Sequence, residues 1–311
     1  MSAPVVVWRF HDGKAGHDRQ TAGLLRALAE RLPLAIHALP VASVRISAWR
    51  GLRRRLPAAL AALPAPQLLL GAGHACEWPL IAARRARGGR SVYLMKPSFP
   101  TPCFDLCFVP RHDGVPGGPH VEQTEGVLND LAPGPRDRPG PSMVLVGGPS
   151  KHHGWDEAGL LRQVASIVFG SRPRKLVITD SRRTPAATAA ALASFEREGV
   201  RFVSHRDVGD EWLRETLAQA PAAWVTADSV SMLFEAMTAG CAVGLLEVPA
   251  IRNDRISGIA PGLLRAGRVS SLASWLASGE LPPPPAPLAE AARCAAIVHA
   301  RLLGAGAGRA A

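Results

Sequence analysis

The turn at residues 226–231, Thr-Ala-Asp-Ser-Val-Ser, carries residue types that favour binding of an anion. An apolar run from Ala222 to Val225 precedes it, and apolar residues recur behind it at helical spacing as far as Gly240. Thr, Asp and Ser favour helix starts, where free amides and the helix dipole attract phosphate. The pattern predicts a diphosphate site built from Asp228, Ser229, Ser231 and Met232, with Glu235 one turn further on, within reach of sugar hydroxyls. An ordinary strand, capped helix and solvated glutamate are the alternative.

Four further loops follow predicted strands and carry basic or hydroxyl residues, in three of them together with glycine. They are His-Asp-Gly-Lys-Ala-Gly-His at 11–17, Gly-Ala-Gly-His at 71–74, Gly-Gly-Pro-Ser-Lys-His-His at 147–153 and Thr-Asp-Ser-Arg-Arg-Thr-Pro at 179–185. Ligands of parallel sheets bind at the carboxyl ends of strands, where these loops lie. Arginine and lysine side chains suit phosphate oxygens. A diphosphate is therefore expected to meet Ser150, Lys151, Ser181, Arg182 and Arg183.

Strands alternate with helices along both halves of the chain, which is typical of doubly wound parallel sheets. Strands are predicted at 5–10, 35–39, 68–70, 91–95 and 106–109, and then at 143–146, 175–179, 202–204, 223–226 and 242–247. Helices are predicted near 19–31, 49–62, 77–87, 155–168, 185–198, 210–219, 231–239 and 288–303. Pro, Gly and charged residues at 111–140 predict a linker, and the prolines at 282–287 predict a stiff connector.

A length of 311 residues exceeds one typical core and predicts two domains. We expect an α/β protein with two Rossmann-like domains that face each other across a cleft. Residues 1–135 would form the acceptor- and membrane-side domain, and 136–285 the nucleotide-sugar domain. Residues 286–311 would form a helix that crosses back to the first domain.

Composition indicates a folded protein, with 47% hydrophobic and 20% charged residues. No apolar run reaches the roughly 18 residues that span a bilayer, and the N-terminus lacks the charged and long apolar regions of a secretory signal. The five cysteines are few and mostly set in apolar segments, which favours free thiols in a reducing compartment. The sequence therefore predicts a cytoplasmic protein.

Basic residues are concentrated in the first half, since residues 1–135 carry a net charge of +7 out of +11. No acidic residue lies between Glu30 and Glu77, although Trp49 and several leucines lie there at helical spacing. The same stretch contains Arg31, Arg45, Arg50, Arg53, Arg54 and Arg55. This pattern favours a helix on an anionic membrane surface, and a solvated amphipathic helix is the alternative. No nucleic-acid partner is predicted, because stacking aromatics, zinc-finger spacing and RNA-recognition motifs are missing.

Four segments together resemble the elongated-mitochondria fission-factor family over nearly the whole chain. They are Asp-Gly-Lys-Ala-Gly-His at 12–17, Gly-Gly-Pro-Ser-Lys-His at 147–152, Ser-Arg-Arg-Thr-Pro at 181–185 and Asp-Ser-Val-Ser-Met-Leu-Phe-Glu-Ala at 228–236. The order of parts also resembles GT-B glycosyltransferases, in particular the enzyme that adds N-acetylglucosamine to lipid-linked muramyl-pentapeptide. The acceptor loop differs from that enzyme's more apolar sequence at Asp12, Lys14 and 18–20.

These resemblances imply a metal-independent glycosyltransferase without a cofactor, which moves sugar from a nucleotide-diphosphate sugar to a lipid-linked or other membrane-surface acceptor. Glu235 would bind the nucleotide ribose. His17 or Asp12 would be the base, and His17 is favoured because an unperturbed imidazole titrates near pH 6.5. The acceptor would meet Gly13, Lys14, Gly16, Gln20, Gly73 and His74. A scaffold or recruitment protein on the same fold is the non-enzymatic alternative.

Two other enzyme classes fit the residues poorly. A dinucleotide-dependent epimerase needs a full glycine fingerprint and a Tyr with Lys four residues on, whereas Tyr93 is the single tyrosine and Lys96 lies three residues on. A metal hydrolase needs converging ligands, but His152 and His153 are adjacent and no His-Glu-x-x-His motif is present. No metal site is predicted.

Overall fold

The computed structural model describes residues 3–44, 46–47, 49, 51, 53–135, 138–170, 175–284 and 288–304. The chain divides into two compact units, each built around its own parallel sheet. The first unit comprises Met1–Asp130 and Ala289–Ala311, and the second comprises Leu131–Leu288. The predicted fold class, two parallel-sheet α/β domains, is confirmed.

Six strands form the first sheet: β1 (Val5–His11), β2 (Leu34–Pro40), β3 (Leu68–Ala72), β4 (Arg90–Leu94), β5 (Leu106–Pro110) and β6 (Val121–Thr124). All pair in parallel, in the order β2-β1-β3-β4-β5-β6. Helices α1 (Ala15–Ala29), α2 (Ala58–Ala61) and α3 (His74–Arg87) belong to this unit. Strands β3 and β5 are buried along their whole length. Such continuous apolar runs are typical of parallel strands covered on both faces.

Six strands also form the second sheet: β7 (Ser142–Leu145), β8 (Leu176–Thr179), β9 (Val200–Val203), β10 (Ala222–Thr226), β11 (Ala242–Leu246) and β12 (Ser270–Ser271). They pair in parallel in the order β12-β11-β10-β7-β8-β9. The helices are α4 (Glu157–Gly170), α5 (Ala186–Ala193), α6 (Asp210–Gln219), α7 (Val230–Ala239), α8 (Ile259–Arg265) and α9 (Leu272–Ser278). The short elements α8, β12 and α9 were not predicted from the sequence.

The last helix, α10 (Glu290–Val298), belongs to the first unit and continues as a π-helix over His299–Leu303. Its residues Cys294 and Val298 share a core with Leu24 and Leu28 of α1. All five cysteines are free thiols, and four of them are buried. Among the described helices, none is both long and apolar enough to cross a bilayer.

The prediction of a linker throughout 111–140 is wrong, because this stretch contains the buried edge strand β6. Two polar residues, Glu122 and Gln123, occupy the middle of this four-residue strand and conceal its apolar alternation. Arg301 Nη1 donates to Glu122 Oε1 at 2.7 Å, and Arg293 Nη2 donates to the Gln123 carbonyl at 2.7 Å. Guanidinium groups from the chain's last segment therefore cover an edge that would otherwise be open to pairing.

The predicted continuous helix at 49–62 is also wrong. Arg54 has a positive φ of 54°, and the described residues of this stretch turn there before α2 starts after Pro57. A proline disfavours helical backbone at the residue before it, so Pro57 separates the arginines from α2. Of the residues named in this prediction, Arg45, Arg50 and Leu52 lie outside the described part of the chain.

Candidate functional site

Each sheet has one position where the strand order reverses, between β1 and β3 in the first and between β7 and β10 in the second. Crossover connections leave toward opposite faces at such a switch point, so a crevice opens between the two strand ends. Four of the five predicted loops follow β1, β3, β7 and β10, the strands that flank these two positions, and the fifth, at 179–185, follows the neighbouring strand β8. The tertiary structure thus brings the predicted residues together as two clusters, one within each unit.

An aspartate–histidine pair occupies the first switch point. His17 Nδ1 lies 2.9 Å from Asp12 Oδ2, and the Lys14 amide donates to Asp12 Oδ1 at 3.2 Å. Burial by itself raises the pKa of the Asp12 carboxyl, but the hydrogen bonds from His17 and Lys14 outweigh it and hold that pKa below its ordinary value. An ionised Asp12 favours the tautomer with a proton on Nδ1, which leaves His17 Nε2 free to accept a proton.

Glycine is required at position 73 because the backbone passes directly over this pair. Gly73 has a positive φ of 86°, and a Cβ there would lie 2.2 Å from His17 Nδ1 and 3.0 Å from Asp12 Oδ2. Helix α3 begins at the next residue, His74. Gly73 therefore lets the loops after β1 and β3 approach each other closely.

The other predicted acceptor residues are spread around this pair. Lys14 Nζ lies 3.7 Å from Asp12 Oδ2 with a largely exposed side chain, and His74 is exposed beside the same crevice. Gly13 has a positive φ of 76° in the turn before α1, and Gly16 lies in the first turn of that helix. Gln20 is buried on α1. Lys14 and His74 are therefore the exposed polar side chains of this set.

A buried carboxylate organises the second switch point. The side chain of Asp228 is 0% exposed, and its Oδ2 accepts hydrogen bonds from Arg183 Nη2 at 2.7 Å and from the Gly148 amide at 3.0 Å. Arg183 Nη1 also donates to the Gly148 carbonyl at 2.7 Å. A Cβ at position 147 would lie 2.2 Å from Asp228 Oδ2, so glycine is needed there. Arg183, which the sequence assigned to a diphosphate, is thus engaged with Asp228 and joins the loops after β7, β8 and β10.

Two buried polar atoms near this carboxylate have no hydrogen-bond partner among the described residues, His153 Nδ1 and Asp228 Oδ1. Burial lowers the pKa of His153, while the charge of Asp228 opposes that effect. His153 is therefore held toward its neutral form. Unpaired buried polar atoms are rare in folded proteins and are costly unless water or a ligand meets them.

In the loops at 147–153 and 179–185, the serine hydroxyls bond to backbone amides and stabilise turns, whereas the exposed cations beside them have no partner among the described residues. Ser150 Oγ accepts hydrogen bonds from the amides of His152 and His153, both at 3.1 Å, and Ser181 Oγ accepts from the Arg183 amide at 3.3 Å. Lys151 and Arg182 are exposed and have no hydrogen bond or ion pair within the described part of the chain. These two side chains are available to an anionic ligand.

Helix α7 begins at Val230, and Ser229 occupies its N-cap position. Ser229 makes no capping hydrogen bond, although Thr, Asp and Ser at this turn are residue types that favour a cap. The amides of the first turn therefore keep the partial positive charge that attracts phosphate. Ser231 is exposed and Met232 half-buried in that turn, whereas Glu235 is buried in the next one.

Several polar groups around the second switch point were not predicted. Thr184 Oγ1 donates to the Gly147 carbonyl at 2.5 Å, and Thr226 Oγ1 accepts from the Gly147 amide at 2.8 Å. His152 Nδ1 lies 2.6 Å from Asp254 Oδ2, and hydrogen bonds from the Ser257 amide and from His152 lower the pKa of Asp254 to about 2. The two threonines follow predicted strand ends, so the rule that found their neighbours also applied to them. No sequence signal linked Asp254 to His152.

A cavity of about 1290 Å³ lies at the opposite, amino-terminal ends of β7, β8, β10 and β11. Its wall includes Trp224, Trp275 and Leu281. Its arginine, Arg138, already donates to the carbonyls of Ala220 and Ala239 at 3.0 and 2.6 Å. Because this guanidinium is engaged and Glu280 lies in the wall, the cavity is unsuited to phosphate, so the candidate donor site remains the switch point.

Replacement of Arg183 by alanine is expected to reduce the free energy of unfolding of the second unit. Asp228 would remain buried without its guanidinium partner, which costs about 3–5 kcal/mol in fully buried pairs. Since Arg183 is 40% exposed, we expect about 2–4 kcal/mol. Urea unfolding followed by tryptophan fluorescence measures the change. Arg182→Ala is the matched control and should stay within about 0.5 kcal/mol of wild type. Equal destabilisation by both variants would contradict the role given to Arg183.

Comparison with solved structures supports the fold class. A Listeria monocytogenes protein, provisionally named a UDP-N-acetylglucosamine 2-epimerase, is similar with a TM-score of 0.58, 12% identity and coverage of 96% of each chain. Another UDP-N-acetylglucosamine 2-epimerase gives a TM-score of 0.57 and 13% identity, again over 96% of each chain. MurG of Acinetobacter baumannii has 16% identity over 87% of each chain, but its TM-score of 0.43 supports no inference. Identities this low establish a shared GT-B-like fold alone.

Comparison by sequence identifies the family. No curated protein matches the chain. The family model described as mitochondrial fission ELM1 matches residues 15–302, which is nearly the whole chain. The match includes three of the four segments on which the resemblance rests and the second half of the first, 12–17. The chain belongs to the mitochondrial fission ELM1 family.

Proposed function

We propose that the protein is a glycosyltransferase of GT-B-like fold that moves sugar from a nucleotide-diphosphate sugar to an acceptor at a membrane surface. The observation that carries this proposal is the second switch point. There the uncapped start of α7 lies at the same sheet edge as two loops with unengaged cations, Lys151 and Arg182. Helix amides and fixed cations together suit a diphosphate, and cations there stabilise the charge of a departing nucleoside diphosphate. The names of the two proteins of similar fold include UDP-N-acetylglucosamine, a donor of this class.

The first switch point supports transfer rather than binding alone. A sugar acceptor must lose a hydroxyl proton as the new bond forms, and an imidazole oriented by a carboxylate is a common base for this task. His17 held by Asp12 has this arrangement. Acceptor binding would then involve the exposed Lys14 and His74, with Gly13, Gly16 and Gln20 shaping the loop.

Glu235→Gln tests the donor site. If the Glu235 carboxylate binds the ribose, its loss should weaken nucleoside diphosphate binding by about 1.5–3 kcal/mol, or about 10- to 150-fold. Isothermal titration with the diphosphates of uridine, adenosine and guanosine measures the affinity. Glu215→Gln, an exposed residue on α6, is the control and should bind like wild type. Equal affinity of Glu235→Gln and wild type would remove Glu235 from the site.

The same titration separates the enzyme from a scaffold. If the wild-type protein binds none of the three diphosphates at millimolar concentration, the donor site is refuted and a recruitment protein on this fold becomes the better proposal. If it binds one, incubation with the matching nucleotide sugar shows the reaction type. Transfer needs an added acceptor, whereas epimerisation or hydrolysis proceeds without one.

Association with an anionic membrane surface is proposed for the first unit. The guanidinium carbon of Arg53 lies 3.7 Å from the centre of the Trp49 ring, and Trp49 is 63% exposed. Ile46 is buried, and its carbonyl accepts a hydrogen bond from Trp78 Nε1 at 2.9 Å. The buried Ile46 therefore anchors this segment just before the exposed Trp49 ring, on which the Arg53 guanidinium stacks. Exposed tryptophan and arginine suit the boundary between lipid headgroups and acyl chains.

Reversal of charge tests the membrane contact. Changing Arg53, Arg54 and Arg55 to glutamate should abolish sedimentation with anionic vesicles at low salt, because each basic group near the surface contributes about 1 kcal/mol. Glutamates at three exposed arginines of the second unit, Arg201, Arg206 and Arg265, give the same change in net charge and should leave sedimentation intact. If wild-type protein stays in solution with anionic vesicles even at low salt, a soluble acceptor is the better proposal.

A further inference from the structure

A basic cluster lies beside the Asp12–His17 pair, on the loop that follows β4. His74 Nδ1 lies 2.9 Å from Ser98 Oγ, and Lys96 is two residues before Ser98. His74 directly follows Gly73, whose Cβ position would meet His17. Gly73 and His74, which are adjacent in the chain, therefore link the proposed base to the β4 loop. Lys96 and Ser98 lie outside the strand-end loops selected from the sequence.

A buried glutamate holds this loop in place. Glu77 is 1% exposed and accepts hydrogen bonds from the Ser98 amide at 3.0 Å, from the Phe99 amide at 3.2 Å and from the Tyr93 hydroxyl at 3.0 Å. Met95, directly before Lys96, keeps an unfavourable φ of 92° while its amide donates to the Phe108 carbonyl at 2.9 Å. The backbone that carries Lys96 and Ser98 is thus fixed before a ligand arrives, which reduces the entropy lost on binding.

The carboxylates at this edge already have hydrogen-bond or ion-pair partners. Asp12 is bound by His17, Asp18 lies 3.5 Å from Arg9 Nη2, and Glu77 accepts the three hydrogen bonds given above. Lys96 has no hydrogen bond or ion pair within the described part of the chain. The 73% exposed side chain of Lys14 lies 3.7 Å from an already paired Asp12. Two ammonium groups thus remain available to a ligand.

Lysine is rare in this chain, and its positions are not scattered. The 36 basic residues include only four lysines, Lys14, Lys96, Lys151 and Lys175. Three of them follow the carboxyl ends of strands, two in the first unit and one in the second, whereas Lys175 precedes β8 at the opposite end of its sheet. An ammonium is a compact point charge that binds phosphate from variable directions, unlike the planar guanidinium. The distribution favours two phosphate sites, one in each unit.

We propose that the acceptor carries a phosphate group, bound by Lys96 and Lys14 with Ser98 and His74 as hydrogen-bond partners. That this ligand is the sugar acceptor rests on the function proposed above, whereas the binding of a phosphate group at this site does not. The phosphate belongs either to a lipid headgroup or to a soluble sugar phosphate, since both present the same charged oxygens. Binding there places the attached molecule beside His17.

Lysine acylation mapped by mass spectrometry tests this site in the full-length protein, because each lysine reports on one place. Uridine diphosphate or another bound nucleoside diphosphate is added first and should slow acylation of Lys151. Glucose 1-phosphate, or phosphatidic acid in neutral detergent micelles, is then added. A phosphate at ten times its dissociation constant should slow acylation of Lys14 and Lys96 about tenfold and leave Lys175 unchanged. The compound that protects identifies the source, soluble or lipid.

Two variants sharpen the result. Lys96→Gln should weaken the protection of Lys14, and Lys175→Gln should leave it unchanged. If Lys14 and Lys96 react equally fast with and without every phosphate compound while Lys151 is protected, the phosphate acceptor is refuted and the donor site stands. If Lys151 alone fails to be protected, the donor site is refuted and the phosphate site stands. If none of the three lysines is protected, both proposals are refuted.

Discussion

His17→Ala is expected to lower the rate of sugar transfer by about 10²- to 10⁴-fold, which is the usual contribution of a positioned acid–base group. The physical reason is that the Asp12 carboxylate, 2.9 Å from His17 Nδ1, favours a proton on that nitrogen and leaves Nε2 to accept the acceptor's proton. The measurement is release of nucleoside diphosphate from a nucleotide sugar in the presence of a bacterial lipid extract. His37→Ala, in the middle of β2 and away from the strand ends, is the control. Retention of more than half of the wild-type rate by His17→Ala would falsify the assignment of the base.

Asp12→Asn should lower the rate less than His17→Ala, because the imidazole remains but loses the charge that fixes its tautomer. The pH dependence of stability has a definite sign. Since the folded pKa of Asp12 lies below its ordinary value of 3.8, its interactions stabilise the fold above that pH and are lost as the pH falls through the folded pKa. Wild type and Asp12→Asn should therefore converge in stability in acid. A constant difference down to the acid transition would contradict the ionised pair.

Gly73→Ala is expected to lower activity about as strongly as His17→Ala, although neither reacting side chain is changed. A methyl group at position 73 would lie 2.2 Å from His17 Nδ1, so the imidazole must leave Asp12. The backbone at this position, with φ of 86° and ψ of 145°, is close to a conformation nearly confined to glycine and adds a stability cost of about 1–3 kcal/mol. The imidazole can swing aside, so the fold survives while the pair is broken. Activity and the free energy of unfolding are measured on the same preparation.

Gly88→Ala is a matched control for this experiment because it lies at the other end of α3. Gly88 has a positive φ of 75°, and a Cβ there would meet nothing within 4 Å. It should therefore show a similar backbone cost of about 1–3 kcal/mol without any loss of activity. If Gly73→Ala and Gly88→Ala have equal activity, glycine at position 73 is needed for the start of α3 and not for the Asp12–His17 pair.

The fold class could be predicted because its signals are local. Buried parallel strands such as β3 are short apolar runs, and glycine or proline marks where they end. Prediction failed where such a run is interrupted or absent. Strand β6 has two polar residues at its centre, and the stretch that precedes α2 turns at Arg54 despite its helical spacing of leucines. Spacing describes which face a helix would bury, but not whether the backbone continues as a helix.

The loops that form the candidate sites could be predicted from the sequence, but the contacts between their side chains could not. That glycine-rich and basic loops follow strands is a property of the sequence, and parallel pairing puts those loops at one edge of each sheet. Asp254, by contrast, is brought to His152 from about a hundred residues away, and no local pattern marks the pair. Lys96 was not selected because the loop after β4 has neither a glycine turn nor the adjacent arginines of the loop at 179–185, although it follows a strand end as the others do.

By itself the sequence determined the two α/β units, the five polar loops that follow strands and the excess of positive charge in the first unit. These follow from composition and periodicity, which act over a few residues. Only the tertiary structure decided which charges remain available: Arg183 is engaged by a buried Asp228, whereas Arg182 and Lys96 are not. The reason is that burial and pairing depend on residues distant in sequence, and a charge's use depends on which partners the fold brings within about 4 Å of it.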